Sequence, residues 1–419
     1  MNDFLFYLVI VAGILNLIRM AAYLISSDIH TIKAAGRKPG RQSTRFPTVT
    51  IVVPAHNEER VIVRTLDSLY NTKYPASKLE VIIADDGSTD STAQAVRRFR
   101  RTHRDRCRIR LIRRPNRGKA SVLNYAIQRH ARGELIMCLD ADSYLLPDSL
   151  SHAVAHFRDR QVLALSSNVN VIEDSTLLSL IQRFEYIVCY HMKRGQAQWG
   201  AEYIIGGIGS MFRRSMLQKV SYYDTNTMTE DIDLTFKILV NKSKREKIVF
   251  AADSIVYTEA VHSLGALMRQ RYRWKYGRNQ TYLKNRPYFF SKDARHSRIV
   301  SWFMLPFSIF QDMMFLFEPL IIAWFIYLAV AFGDTLTLVT AIIVMSTYVI
   351  LNIWSSLHLS FRSKLRLSLL SPLMYFMMFV LTFAEYYALI KALILLPKLK
   401  QSIQRNEFTW KSPERSTPA

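Results

Sequence analysis

Gly133-Glu-Leu-Ile-Met-Cys-Leu-Asp-Ala-Asp142 is the stretch on which the reading of this chain turns. Leu135, Ile136, Met137, Cys138 and Leu139 form a nearly continuous apolar run, which reads as a strand buried on both faces, as in parallel sheets. Periodicity alone leaves a buried helix segment open. Asp140 and Asp142 follow at its carboxyl end, where open α/β sheets bind their ligands. Alternate residues at a strand end point to opposite sides, so one carboxylate is placed to face a nucleotide and the other to take a divalent metal carrying phosphates. An isolated Asp-x-Asp more often only turns the chain. Its neighbours decide the matter.

Upstream, Thr48 to Val53 is a β-branched strand stopped by Pro54, and His56-Asn57-Glu58-Glu59 opens a helix whose apolar face is Val61, Val63, Leu66, Leu69 and Tyr70. Leu79 to Ala84 is a second strand, ending in Asp85-Asp86-Gly87-Ser88-Thr89-Asp90, which combines carboxylates, a turn glycine and a helix N-cap. Ile109 to Ile112 is a third, followed by Asn116-Arg-Gly-Lys119 and a helix bearing Val122, Leu123, Ala126 and Ile127. With the strand ending at Asp140 as the fourth, strands alternate with helices, which implies an α/β fold with a mostly parallel sheet and right-handed crossovers. Asp86, Lys119, Asp140 and Asp142 then lie on successive strand-to-helix connections, placed to converge on one nucleotide-diphosphate site with a metal.

Downstream, Ile204-Ile-Gly-Gly-Ile-Gly-Ser210 is a loop that permits close backbone approach. Thr229-Glu230-Asp231 precedes Ile232, Leu234, Phe236 and Ile238, so the acids begin a helix capped by Thr229. Leu264 to Tyr282 mixes Arg269, Arg271, Arg273, Lys275 and Arg278 with Leu267, Met268, Tyr272, Trp274 and Tyr276, an amphipathic helix suited to a membrane interface.

The 419 residues are 50% hydrophobic and carry a formal net charge of +23, an odd pairing for a soluble enzyme. Apolar residues concentrate at 4–25 and from about 301 to 396, so the expectation is a membrane protein carrying one soluble domain. Asp3 precedes the first run and His30, Lys33, Arg37, Lys38, Arg41 and Arg45 follow it, the pattern of an uncleaved anchor with the next domain cytosolic. Cys107, Cys138 and Cys189 make no paired framework, which argues for a reducing compartment and against structural zinc. No nucleic-acid motif accompanies the basic excess, so contact with anionic lipid explains it better.

The expected division is an anchor at 1–28, a soluble domain at 45–262, an interfacial helix region at 263–296, membrane helices at 300–398 and a basic tail at 399–419. Within the membrane region, 300–333, 336–356 and 367–396 are the candidate segments, and the basic tail leaves their number and the side of the C-terminus open. Glu318 and Glu385 lie inside them, where an acid either faces a polar passage or pairs with a nearby cation.

Pro54-Ala-His-Asn-Glu58, Asp85-Asp-Gly-Ser-Thr-Asp90, Asn116-Arg-Gly-Lys119, Asp140-Ala-Asp142, Thr229-Glu-Asp231 and Gln270-Arg-Tyr-Arg-Trp274 occur in this order. Taken together they resemble the processive membrane-bound β-glycosyltransferases of glycosyltransferase family 2, which include cellulose, chitin and hyaluronan synthases. Chain length, the anchor and the Thr409-Trp-Lys-Ser-Pro-Glu-Arg415 tail make the bacterial poly-N-acetylglucosamine synthases of biofilm formation the nearest look-alikes.

The resemblance implies a GT-A type nucleotide-sugar-binding domain beside an α-helical transmembrane region, in a bacterial plasma membrane with the catalytic domain cytosolic. It implies that His56, Glu58 and Asp86 hold the uridine, although many relatives have tyrosine at the position of His56. Lys119 would approach the nucleotide, Asp140 would face the ribose and diphosphate, and Asp142 would bind Mg²⁺ or Mn²⁺. Asp231 would be the general base with Glu230 beside it; Gln270, Arg273 and Trp274 would position leaving group and acceptor; Trp410 and Arg415 would fold back on the nucleotide. The implied reaction is inverting transfer from UDP-N-acetylglucosamine onto a growing extruded β-linked polymer, with a small membrane subunit as partner and no nucleic acid. One carboxylate suffices as base for such a displacement, whereas a glycosidase needs a pair flanking the bond. The rival expectations are another β-linked polymer, such as chitin oligosaccharide, hyaluronan or cellulose, a lipid-directed non-processive transferase, or an inactive scaffold.

Overall fold

Leu135 to Cys138 form a central strand in which no residue is more than 2% exposed. Fully burying side chains of this size contributes about 1.5–3 kcal/mol each, which fixes the strand between two apolar layers. The computed structural model describes residues 2–36, 46–103, 108–331, 333, 335–356 and 358–395.

The elements run α1 (Asn2–Gly36), β1 (Val49–Ala55), α2 (Ile62–Tyr70), β2 (Leu79–Asp85), α3 (Thr92–Thr102), β3 (Arg108–Arg113), α4 (Lys119–Arg129) and β4 (Leu135–Cys138). Then come β5 (Tyr144–Leu145), α5 (Ser149–His156), β6 (Val162–Val171), α6 (Leu177–Gln198), β7 (Ser210–Arg213), α7 (Arg214–Lys219), α8 (Glu230–Asn241) and β8 (Lys247–Thr258). The chain continues through α9 (Leu264–Lys284), α10 (Leu305–Ala331), α11 (Thr335–Trp354) and α12 (Phe361–Ile394).

The eight strands make one mixed sheet in the order β3-β2-β1-β4-β7-β6-β8-β5. β1 pairs in parallel with β2 and β4, β2 with β3, and β6 with β8; β7 runs antiparallel to β4 and β6, and β5 to β8. The chain order reverses between β1 and β4, and the crevice beyond the carboxyl ends of such neighbours is where doubly wound sheets take ligands. One apolar layer joins the sheet to α2, α3 and α5, and a second joins it to α4, α7, α8 and the end of α9.

Four strands match expectation, with shifted ends. β1 runs through Pro54, whose missing N–H costs no ladder bond there, and α2 starts at Ile62, so Glu58 and Glu59 lie in the preceding loop rather than in its first turn. β4 ends at Cys138, which leaves Asp140 and Asp142 in the turn beyond it. The mixed half, β5 to β8, has no counterpart in the sequence reading.

Ile299–Trp324 and Phe361–Ile394 are, among the described residues, the two helices long and apolar enough to cross a membrane. α1 extends well past residue 25; its Tyr23, Ser26 and Ser27 are buried, and α6 packs along it. Part of the basic excess is concentrated in one stretch. Fourteen Lys and Arg against one Asp fall in residues 92–132, and Arg97, Arg98, Arg100 and Arg101 stand exposed on α3 at the sheet edge. Trp410 and Arg415 lie outside the described residues.

Candidate active site

Gly87, at φ +75°, turns the chain after β2 so tightly that an added Cβ would lie 2.7 Å from the Asn116 amide nitrogen. Glycine is the residue that tolerates that approach, and it lets the loops after β2 and β3 meet. Asp86 then closes them: its Oδ1 accepts the Arg117 amide at 3.0 Å and its Oδ2 the Gly118 amide at 2.8 Å. The Asp86 carboxylate therefore shapes the Asn116–Lys119 loop. His56, at the end of β1, donates from Nδ1 to the Asp86 carbonyl at 3.0 Å, and its Nε2 lies 3.2 Å from Asn116 Nδ2, which fixes the tautomer. Glu58 is buried, and its amide donates to Thr92 Oγ1 at 2.8 Å.

Lys119 opens α4 and reaches across the crevice, its Nζ 2.6 Å from Asp140 Oδ1 and 3.4 Å from Glu230 Oε1. Burial disfavours its charge, but Asp140, Glu230 and Asp231 outweigh that and hold its pKa above the ordinary lysine value. Asp142 is buried beside β8, and its Oδ1 accepts from Ser143 Oγ at 2.9 Å and Thr258 Oγ1 at 3.4 Å. From α2, Arg64 bonds both the Asp142 carbonyl, at 3.2 Å, and Glu259, at 2.9 Å, so strand β8 and the Asp-Ala-Asp turn are held together.

Asp231 lies in the first turn of α8, its Oδ1 accepting the Ile232 amide and its Oδ2 the Gly207 amide, each at 2.8 Å. Burial raises its pKa above the ordinary aspartate value and neighbouring Glu230 adds to this, against the pull of Lys119 and Arg273. α9 is packed against this turn so closely that a Cβ on Gly277 would lie 2.5 Å from Thr229 Oγ1. Thr229 is a buried, branched side chain with little freedom to yield. Gly277→Ala is therefore expected to destabilise the protein by about 1–2 kcal/mol despite its better helix propensity, measured as a lowered Tm.

A cavity of about 1300 Å³ is lined by all eleven described candidates: His56, Glu58, Asp86, Lys119, Asp140, Asp142, Glu230, Asp231, Gln270, Arg273 and Trp274. Gln270 Oε1 is buried without a hydrogen-bond partner, a polar atom suited to a ligand. Arg269 of α9 stands exposed, whereas Arg271, Lys275 and Arg278 turn inward to ion pairs. Arg271 is 2% exposed, pairs with both oxygens of Glu185 at 2.5 and 2.7 Å and with Glu385 at 3.2 Å, and stacks on Trp274 with its guanidinium 4.4 Å from the ring centroid. Lys275 bridges Glu385 and Asp312, and Arg278 pairs with Asp312. Glu385 thus both lines the cavity and pairs with cations, while Glu318 stands half-buried on α10.

The sequence reading missed the cavity wall contributed by α6, namely Glu185, Tyr186, Cys189, Tyr190 and Lys193. Recurrence at three and four residues along an otherwise mixed helix is their only local signal. Asp140 and Asp142 are oxygen donors suited to Mg²⁺ or Mn²⁺, but no three His, Cys, Asp or Glu side chains gather as a metal cage among the described residues. Such a pair fits an ion whose remaining ligands come from a bound molecule.

Residues 50–221 match the model of glycosyl transferase family 2. The chain is 31% identical over 241 residues to a poly-beta-1,6-N-acetyl-D-glucosamine synthase of Staphylococcus epidermidis, covering 57% of this chain and 56% of that protein. It is 31% identical over 259 residues to the synthase of the same name from Staphylococcus aureus strain COL, covering 61% and 60%. The matches thus span less than two thirds of these curated relatives. Among solved structures, a mannosyltransferase of Pyrobaculum calidifontis in complex with GDP-Man and Mn²⁺ superposes with a TM-score of 0.55 at 24% identity, covering 92% of this chain and 97% of that one, a likeness of fold. Residues 50–221 are a glycosyl transferase family 2 domain, and the sheet that carries them has the GT-A fold.

Proposed function

We propose that the chain is a processive, inverting glycosyltransferase that polymerises N-acetylglucosamine from UDP-N-acetylglucosamine into a β-linked extracellular polysaccharide and passes it across a bacterial plasma membrane. The observation that carries this reading is one half-buried carboxylate, Asp231, in a cavity shared with Asp140, Asp142 and the α9 residues Gln270, Arg273 and Trp274. The Staphylococcus relatives, by their names, supply the sugar and the linkage class.

In this reading the nucleotide lies between the ends of β1 and β4, against His56, Glu58 and Asp86. Asp231 takes the proton of the attacking acceptor hydroxyl as the C1–O bond to the diphosphate breaks. Lys119 and Arg273 offset the charge that grows on the departing diphosphate. Asp140 and Asp142 would hold a divalent ion, which when bound neutralises diphosphate charge. Gln270 and Trp274 orient the acceptor, and the apolar helices after residue 299 form the exit. A small membrane subunit, and a tail that brings Trp410 and Arg415 to the nucleotide, belong to the same proposal.

The test is UDP release by the full chain reconstituted in lipid with Mg²⁺ or Mn²⁺, offering UDP-N-acetylglucosamine, UDP-glucose and UDP-glucuronate separately and sizing the product. Polymer from UDP-N-acetylglucosamine alone is the expected result. Polymer from another donor moves the substrate assignment, and single-residue addition removes processivity. Calorimetry in which no donor binds overturns the transferase reading itself.

A further inference from the structure

The loop at 204–209 holds three of the seven residues from Ile204 to Ser210 as glycine, so few side chains fix it and its backbone bonds must. Four do so. Ile205 N donates to Thr235 Oγ1 at 3.1 Å, Gly207 N to Asp231 Oδ2 at 2.8 Å, the Gly209 carbonyl accepts from Ser167 Oγ at 2.7 Å, and the Ile204 carbonyl accepts from Lys193 Nζ at 2.7 Å. The first two anchors come from α8 itself and the third from β6. The fourth comes from α6, on the far wall of the cavity.

We propose that Lys193 is a positioning residue for the transfer, acting through this loop to hold the Gly207 amide on Asp231. The inference rests on the transferase reading. An ammonium bonded to a carbonyl is charge-assisted, roughly twice as strong as a neutral hydrogen bond, so this anchor outranks the two neutral ones at Thr235 and Ser167 and matches the Gly207–Asp231 bond in kind. Its charge is in turn secured by Glu202, which is 3% exposed and has Oε1 3.0 Å from Nζ, while Glu202 Oε2 has no hydrogen-bond partner. Lys193 is thus the buried carboxylate's only cation within ion-pair distance among the described residues. Ser166 Oγ, at 3.4 Å, completes the cluster.

The consequence reaches beyond the loop. α6 is also the helix against which α1 and α11 pack, so the lysine that sets the base sits on the element that joins the sheet to the apolar helices. A displacement of those helices would be felt at Asp231 through Lys193, Ile204 and Gly207. The other charges facing Asp231 are Glu230 on its own helix, Lys119 on α4 and Arg273 on α9. Lys193 acts instead on the loop backbone, through the Ile204 carbonyl, so its input to the base is separable from those charges.

The test uses the full chain in lipid. Lys193→Met leaves Glu202 buried without its cation, so the working variant is Lys193→Met with Glu202→Gln, and Lys193→Arg is the rescue. The expected result for the double variant is a fall in kcat for UDP release of about 30-fold with donor KM within about twofold, and recovery of most of the rate in Lys193→Arg. Placed on an Asp231→Asn background, the same change is expected to cost nothing further, because the group it positions is gone. A loss that appears in KM, or that adds fully to Asp231→Asn, overturns the proposal. Hydrogen exchange gives a readout that needs no turnover: amides at 205–209 are expected to exchange at least about tenfold faster in the double variant, with those of β1 and β4 unchanged. Unaltered exchange in the loop overturns the proposal even where the transferase reading stands, and faster exchange in a chain that binds no donor condemns that reading alone.

Discussion

Asp231→Asn is expected to lower UDP release in the presence of acceptor by about 10³-fold while leaving donor affinity within about twofold. The substitution keeps the volume and removes the group that accepts a proton. It also faces the Gly207 amide with an amide, so at most one of the two backbone bonds now made by the carboxylate at 2.8 Å survives on that oxygen. Donor affinity is spared because the nucleotide contacts proposed above, His56, Glu58 and Asp86, lie on the β1 and β2 side of the cavity. Glu230 is the internal comparison. Its carboxylate is 3.4 Å from Lys119, so Glu230→Gln is expected to cost about tenfold, through the charge balance rather than through proton transfer. Equal losses in the two variants would remove Asp231 from the role of base.

The pH dependence follows from the same site. Burial, then Glu230, holds the Asp231 pKa above the ordinary aspartate value, and a protonated carboxyl accepts no proton. The rate should therefore fall as pH drops through that raised pKa, giving an acid limb that begins at higher pH than an ordinary aspartate would produce. The limb should be absent from the residual activity of Asp231→Asn.

Much of this site was legible because its parts are local. Asp140 and Asp142 follow a four-residue apolar strand, Asp86 precedes a turn glycine, and Asp231 begins a helix, so each motif carries its own structural context within a few residues. The parallel half of the sheet was legible for the same reason. β6 to β8 were not: β6 is buried along its whole length and reads Val162-Leu-Ala-Leu-Ser-Ser-Asn-Val-Asn-Val171, with polar residues whose partners are 40 to 90 positions away. α6 and α9 failed differently. Arg271 and Lys275 look like a solvent or lipid face in the sequence, and only Glu185, Glu385 and Asp312, each contributed by another helix, turn that face inward. Charge pairing across elements has no periodicity to betray it.

Lys119→Met is expected to weaken donor binding at least about tenfold, slow turnover by about 10²-fold and destabilise the chain by about 2 kcal/mol at neutral pH. A lysine as the first residue of a helix is opposed by the helix dipole, so its place at the start of α4 is explained by what it faces. That is Asp140 at 2.6 Å and Glu230 at 3.4 Å, with Asp231 adding to the field. Burial works against the ammonium, yet the three carboxylates raise its pKa above the ordinary lysine value. A group whose folded pKa is raised contributes stability that is fully present below its unfolded pKa and is lost only as pH rises through the folded one, so at pH 7 the contribution is intact. Methionine keeps the stem and removes the charge. Three carboxylates then share a partly enclosed site without their common cation, and their repulsion is relieved only by protonation. The Tm deficit of Lys119→Met against wild type should accordingly be widest near pH 8 and narrow towards pH 5. A deficit that stays constant across that range would mean that the packing of the lysine stem, rather than its charge, is what the carboxylates depend on, and the weakened donor binding would then need another cause.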